Sequence, residues 1–248
     1  SVVIDTVNRT ITYSADADAL DLLVTGAAAQ DSFKYTLQGS SGETSTATVA
    51  INVVGVNDGV TLSGTVRRDI LNGTSGEDLI KGNNGNDDIY GGEGADNLFG
   101  ENGNDRLEGG NSIDKLFGGN GNDWLRGGNG NDSLFGGNDS DWLEGGTGND
   151  WLDGEKGVDI LTGDSGSDVF AFAKAGGKDI ITDFTDGVDK IQIAANTGIT
   201  NFSQLKITGK TVSGVAIYTT IDLGHGDKIT LTGVSSTALD ATDFIFSA

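Results

Sequence analysis

The sequence has no cysteine, no proline and no methionine, a single histidine, and 15 Lys and Arg against 37 Asp and Glu. Without cysteine there are no disulfides, thiolate metal sites or cysteine nucleophiles. One histidine, His225, removes most zinc chemistry and every histidine-based triad that does not use it. The shortage of basic residues leaves a formal net charge of −22, which argues against nucleic acid and anionic membrane surfaces as partners, since both need a basic footprint. So much like charge also repels itself in a compact chain unless cations are bound. No apolar run approaches the ~20 residues of a transmembrane helix. The N-terminus has no basic stretch leading into an apolar one, so no secretory signal is visible. The chain starts at Ser1 rather than at a methionine and reads as a processed piece or the tail of something longer. Its 248 residues suffice for one large domain or two smaller ones.

Glycine is abundant, at 41 residues, and unevenly spread. From Gly73 to Ala171 the chain divides without insertion into eleven units of nine, of the form G-G-x-G-x-D-x-U-x with U a large apolar residue. The first position is always glycine: Gly73, Gly82, Gly91, Gly100, Gly109, Gly118, Gly127, Gly136, Gly145, Gly154 and Gly163. The sixth is always aspartate: Asp78, Asp87, Asp96, Asp105, Asp114, Asp123, Asp132, Asp141, Asp150, Asp159 and Asp168. The eighth runs Ile80, Ile89, Leu98, Leu107, Leu116, Leu125, Leu134, Leu143, Leu152, Leu161 and Phe170. Ser112 and Asp139 replace glycine at the fourth position, and Gly64, Asp69 and Leu71 suggest an imperfect unit ahead of the array. A flexible Gly/Asp-rich linker would not hold a large apolar residue at every ninth place.

Glycines at the first, second and fourth positions permit backbone conformations with φ > 0, which turn the chain and point carbonyls inward. The x-U-x triplet is then a very short strand with its middle side chain facing the core. Two units complete one coil, so that unit n stacks on unit n+2 and two parallel sheets enclose a thin core. Burying one Leu or Ile contributes ~1.5–3 kcal/mol, whereas ordering nine residues costs roughly 1–2 kcal/mol each. Apolar burial alone cannot hold such a coil. Ca²⁺ can, because it takes six to eight hard oxygens, carboxylate and carbonyl alike, in a tolerant geometry; Mg²⁺ demands a tight octahedron and keeps its waters. Eleven units paired as n with n+2 give up to nine sites. Residues 73–171 carry 21 acidic and 5 basic side chains, a net of −16, which nine Ca²⁺ ions would offset. Metal binding and folding should then be one equilibrium.

At these residues the array resembles the RTX (repeats-in-toxin) calcium-binding β-roll. The resemblance implies that the sixth-position aspartates are the side-chain ligands and that carbonyls of the glycine turns complete the shell, those of Gly91, Gly100, Gly109, Gly118, Gly127, Gly136 and Gly145 among them. It places the best-formed sites between units that keep the full motif, those starting at Gly91, Gly118, Gly127 and Gly145, and weakens those around Ser112 and Asp139.

Residues 172–248 read as alternating strands, near Lys178–Phe184, Lys190–Ala194, Leu205–Thr208, Val215–Leu223 and Lys228–Thr232. The stretch from Asp168 through Gly177-Lys-Asp-Ile-Ile-Thr-Asp-Phe184 to Ile193 is similar to the segment after the roll in serralysin-type proteins, which implies a cap over an open sheet end. The end, Asp243-Phe-Ile-Phe-Ser-Ala248, resembles an uncleaved type I secretion signal. Residues 1–58 alternate as half-buried strands and look like part of a bacterial cadherin-like or Ig-like adhesin repeat, with too few strands for a whole sandwich. Asp16, Asp18, Asp21 and Asp58 there are either interdomain calcium ligands or a solvated acidic loop.

The expected fold is all-β: a parallel β-roll over 73–171, a β-rich cap over 172–248, a linker with a degenerate nonad at 59–72 and a partial sandwich-like region at 1–58. Phe99, Phe117 and Phe135 should stack on one outer face and Trp124 should pair with Trp142 on the other. Such ladders either support the sheet or contact a flanking segment, a glycan, a protein or a second copy. No H-E-x-x-H or G-x-S-x-G is present, so the expectation is a non-enzymatic calcium module of a secreted adhesin or surface-layer protein. It would leave the cell unfolded through a type I apparatus and fold outside. The alternative is the non-catalytic tail of a secreted protease, lipase or polysaccharide-modifying enzyme; catalysis by His225 is a third, weaker reading.

Overall fold

A computed structural model describes residues 2–5, 10–13, 28–38, 43–54 and 59–247. The chain separates into two units, Ser1–Asp58 and Gly59–Ala248. In the first, β1 (Val2–Asp5) pairs antiparallel with β2 (Thr10–Tyr13), and β3 (Ala28–Gln38) with β4 (Thr44–Val54). Of the four aspartates singled out there, Asp16, Asp18, Asp21 and Asp58 lie outside the described residues.

The second unit is a parallel β-roll. Its strands alternate between two sheets: β5 (Thr61–Ser63), β7 (Leu79–Asn84), β9 (Asn97–Asn102), β11 (Lys115–Asn120), β13 (Ser133–Asn138), β15 (Trp151–Lys156) and β17 (Val169–Phe172) in one. The other holds β6 (Ile70–Asn72), β8 (Asp88–Gly92), β10 (Arg106–Asn111), β12 (Trp124–Asn129), β14 (Trp142–Thr147) and β16 (Ile160–Ser165). Each strand pairs with the one two units on, eighteen residues away, as in Leu107 opposite Leu125 and Leu125 opposite Leu143. The eighth-position side chains, Ile80 to Phe170, are all fully buried and form one continuous core. Residues 59–72 contribute β5 and β6, so the sheets start before the first full nonad.

The cap prolongs both sheets. β18 (Lys178–Ile181) pairs parallel with β16 and with β22 (Asp227–Thr232), which continues antiparallel through β21 (Val215–Gly224) to β20 (Lys206–Val212). On the other sheet β19 (Lys190–Ile193) pairs with β17, and β23 (Phe244–Phe246) closes the edge. The roll core thus runs on into Ile181, Ile191, Ile193, Ile229, Leu231 and Phe244 without a break.

The outer faces differ from each other. Phe99, Phe117 and Phe135 stack in register with ring centroids 4.8 and 5.0 Å apart. Trp124 and Trp142 are also in register, but the expected pairing of their rings is replaced by a cation–π contact. The Arg106 guanidinium lies 4.4 Å from the Trp124 ring centre and donates to the Tyr90 hydroxyl at 2.6 Å, leaving Trp142 half exposed. Arg106 occupies the seventh position one coil earlier, and a planar cation on an indole face is worth ~0.5–2 kcal/mol. Replacing Phe117 by Ala removes both phenyl stacks at once. A loss of roughly 1–3 kcal/mol in thermal unfolding is expected with calcium present; an unchanged melting temperature would show that the stack carries no stability.

Candidate metal centre

The turns between strands carry the polar chemistry. All eleven sixth-position aspartates, Asp78 to Asp168, are buried, none more than 3 % exposed. Each accepts through Oδ1 the backbone N–H of the residue one coil earlier: Asp78 N–H to Asp96, Asp96 to Asp114, Asp114 to Asp132, and likewise on the other sheet from Asp87 to Asp159, at 2.7–2.9 Å. The aspartate carbonyls are spent in the sheets, as where Asp78 O accepts from Asn97 N–H.

The second carboxylate oxygen is different. Oδ2 of Asp87, Asp96, Asp105, Asp114, Asp123, Asp132, Asp141, Asp150 and Asp159 is buried and has no hydrogen-bond partner. These oxygens turn toward the first-position glycines. A side chain on Gly82 would meet Asp87 Oδ2 at 2.5 Å and Gly100 O at 2.8 Å; on Gly136 it would meet Asp141 Oδ2 and Gly154 O at the same distances. The same convergence joins Asp78 to Gly91 O, Asp96 to Gly109 O, Asp105 to Gly118 O, Asp114 to Gly127 O, Asp123 to Gly136 O and Asp132 to Gly145 O. Carboxylate of unit n and first-position carbonyl of unit n+2 thus meet at one point. Gly154 joins the set on the same footing as the glycines singled out from the sequence.

The first-position glycines do not use the φ > 0 that glycine permits; the second- and fourth-position residues do, except Thr74, Gly76 and Gly157. Glycine is needed at the first position because a Cβ would occupy the space between these oxygens. Ser112 and Asp139 take φ of 83° and 77°, so the turns that depart from the motif keep its geometry, and Asp114 and Asp141 lack an Oδ2 partner like their neighbours.

Among the described residues no three His, Cys, Asp or Glu side chains converge. Each place offers one carboxylate and backbone carbonyls, a hard-oxygen set that suits Ca²⁺. Burial, opposed by the ladder N–H and reinforced in the middle by neighbouring carboxylates, pushes Asp114 and Asp123 up to about 8. Burial likewise lifts Asp141, Asp159 and Asp168 to about 7, and Asp96, Asp105, Asp132 and Asp150 to about 6.

At the edges of the roll threonine takes the second oxygen. Thr74 donates its N–H to Asp78 Oδ2 at 2.6 Å, Thr65 does the same for Asp69, and in the cap Thr185 for Asp189 at 2.7 Å. Sequence reasoning missed Asp179 and Asp189, both buried, which prolong the two ladders by accepting from Asp159 and Asp168 N–H. The signal was present as D-x-U-x in Asp179-Ile-Ile-Thr and Asp189-Lys-Ile-Gln, spaced 20 and 21 residues from the preceding aspartates rather than 18. His225 stands exposed in the turn before β22, with φ of 55°.

A family model described as RTX calcium-binding nonapeptide repeat (4 copies) matches residues 63–98, 99–134 and 135–170. No curated protein matches the chain. Among solved structures, the extracellular lipase LipA from Serratia marcescens is similar at 17% identity and a TM-score of 0.31, over 78% of this chain and 41% of that one. The AlgE6R3 subunit of the Azotobacter vinelandii mannuronan C5-epimerase is similar at 19% identity and a TM-score of 0.26, over 77% of this chain and 81% of that one. The AlgE6R2 subunit of the same enzyme gives 24% identity and a TM-score of 0.22, over 75% and 91%. The chain therefore spans about two fifths of the length of the lipase.

Proposed function

Because residues 63–170 belong to the RTX calcium-binding nonapeptide repeat family, we propose that the chain is a non-catalytic module that folds around calcium outside the cell, as part of a large secreted surface protein of adhesin or surface-layer type. The carrying observation is the row of nine buried carboxylate oxygens without a partner. Leaving one buried ionised carboxylate uncompensated costs several kcal/mol, and a domain's whole net stability is only about 5–15 kcal/mol. The roll therefore needs positive charge inside it, and bound Ca²⁺ supplies that charge.

The chain's own groups do the rest. The sixth-position aspartates fix one oxygen to the neighbouring coil and present the other; the first-position glycines leave room for it and lend their carbonyls. Where calcium is scarce, as in a cytoplasm, the −16 of the array keeps it open and threadable through a type I channel. At millimolar calcium, the range of extracellular modules, it closes. In the C-terminal Asp243-Phe-Ile-Phe segment, Phe244–Phe246 form a strand in the folded state, so a secretion apparatus would have to read it before folding. The hairpins of residues 1–58 favour the adhesin reading over the tail of a secreted enzyme; cadherin-like repeats upstream would support it, and a hydrolase or lyase domain there would support the alternative.

Small-angle scattering tests the switch. Adding millimolar calcium to chelator-treated protein should shrink the radius of gyration to below half of the roughly 55 Å expected for an unfolded chain of this length, and magnesium should not. Equal compaction by magnesium, or none by calcium, would contradict it.

A further inference from the structure

Five asparagines of the roll stand directly before glycine: Asn72, Asn84, Asn102, Asn120 and Asn129, the last four at the third place of a nonad. All five are exposed. In an open chain such a pair is chemically labile, because the glycine nitrogen has no side chain beside it to shield it and its backbone turns freely. The glycine nitrogen attacks Cγ of the asparagine, the Cγ–Nδ2 bond breaks, and ammonia leaves with the proton of that nitrogen, closing a five-membered imide. Water then opens the ring. Cleavage of the new N–Cγ bond gives aspartate. Cleavage of the original peptide bond gives isoaspartate, whose main chain runs through Cβ and Cγ and is one carbon longer.

The folded roll keeps these reactants apart. Every attacking nitrogen is engaged: Gly73 N–H donates to Tyr90 O, Gly85 to Asn102 O, Gly103 to Asn120 O, Gly121 to Asn138 O and Gly130 to Thr147 O, at 2.7–3.3 Å. The side-chain amides are held as well, each by the coils beside it. Asn102 Nδ2 donates to Asn84 Oδ1 at 3.2 Å, Asn120 Nδ2 to Asn102 Oδ1 at 2.8 Å, and Asn138 Nδ2 to Asn120 Oδ1 at 2.7 Å. On the other sheet Asn129 Nδ2 donates to Asn111 Oδ1 at 2.6 Å, and its Oδ1 accepts from the Thr147 hydroxyl at 2.8 Å. Water reaches these side chains, so hydrogen bonding to the neighbouring coils, and not burial, is what restrains them.

Neither product suits the turn. Aspartate at 102 lacks the donor that reaches Asn84 Oδ1. Isoaspartate lengthens a turn that has no slack, since even a side chain on Gly103 would collide with Gly85 O, and one on Gly121 with Gly103 O. We propose that Asn72, Asn84, Asn102, Asn120 and Asn129 are sites of water-driven deamidation in the open chain, silenced when the roll closes, so that a chain held open loses its capacity to fold with time. The inference rests on the roll being closed by calcium, and it sets a chemical limit on the interval between synthesis and closure.

The full chain, held at mildly alkaline pH in chelator and in parallel in millimolar calcium, tests this by peptide mass mapping and circular dichroism on the same samples. In chelator the mass should rise by about one unit per event, an amide becoming a carboxyl, at these five residues ahead of the other asparagines and with isoaspartate among the products. In calcium the rate should be at least ~tenfold lower, because attack then needs an opened turn. Returned to calcium, the chelator-aged chain should regain less β-structure than a fresh one. A variant carrying Asn84→Ser, Asn102→Ser, Asn120→Ser and Asn129→Ser, with the residue that Ser165 already places third in its nonad, should regain more of it after the same wait. Equal rates in the two conditions, where dichroism shows the calcium sample folded, overturn the proposal, as does a serine variant that ages like the unaltered chain. Should that variant not fold even when fresh, the site-by-site rates in the unaltered chain decide alone. A chain that calcium leaves unfolded would contradict the function proposed above, and this inference with it.

Discussion

Held in chelator, the chain is expected to recover much of its β-sheet when the pH is lowered from 8 to 5. The direction follows from the buried aspartates. Their ordinary value in the unfolded chain is 3.8, whereas in the folded, metal-free roll Asp114 and Asp123 stand at about 8 and Asp141, Asp159 and Asp168 at about 7. Burial is the largest cause at each. Between those values the folded state binds more protons than the unfolded one, so its stability falls as pH rises. The contribution is complete below the unfolded value and is lost as pH climbs through 6 to 8. Each carboxyl that stays protonated only in the fold changes stability by about 1.4 kcal/mol per pH unit, and several act together. Protons and calcium then compete for the same oxygens, so the calcium midpoint should rise as the pH falls. Far-UV circular dichroism of chelated protein against pH checks the first sign, and calcium titrations at pH 6 and pH 8 check the second. A metal-free chain no more structured at pH 5 than at pH 8 would contradict burial as the source of the calcium requirement.

Gly118→Ala, in the middle of the array, is expected to raise the calcium midpoint at least tenfold, equivalent to about 1.4 kcal/mol, and to cost the ions of the adjoining turns. Gly118 does not have φ > 0, so its backbone would accept alanine. The obstacle is space, since the new methyl carbon would contact Asp123 Oδ2 and lie 2.5 Å from Gly136 O. Neither neighbour can withdraw. Asp123 is tied to the coils on both sides, through Asp105 N–H and Asp141 Oδ1 at 2.8 Å, and Gly136 lies within the paired strand β13. Lys115→Ala, on an exposed outward position, should shift the midpoint by less than twofold. Calorimetric titration of the two variants compares them directly. A Gly118→Ala midpoint within twofold of the unaltered protein would show that the glycine is dispensable there.

The roll was legible because its period lies in the chemistry of single residues. Gly73 to Gly163, Asp78 to Asp168 and Ile80 to Phe170 repeat without a gap, and an aspartate before x-U-x reports both a turn and a strand. What escaped the sequence did so where a physical role was met by a different residue or spacing. β5 was hidden because Val60 stands where the nonads have aspartate, yet its N–H still donates to Asp78 Oδ1. Asp179 was hidden by the two inserted residues that set it 20 rather than 18 from Asp159. The Trp124–Trp142 pairing failed because Arg106, one coil away on the same face, is a better partner for an indole than a second indole is. The role of the first-position glycine was misjudged because local backbone preference and long-range crowding select the same residue type, and only the stacked coils separate them.

Calcium titrated into chelator-treated protein at pH 7.5, followed by far-UV circular dichroism and light scattering with magnesium as the control, tests the calcium-held roll most directly. A cooperative appearance of β-structure in calcium alone is expected, with the scattering then separating a folded monomer from an assembly. A metal-free chain already folded at that pH, and unmoved by calcium, would contradict it, because nine buried carboxylate oxygens would then be stable with no cation to face them.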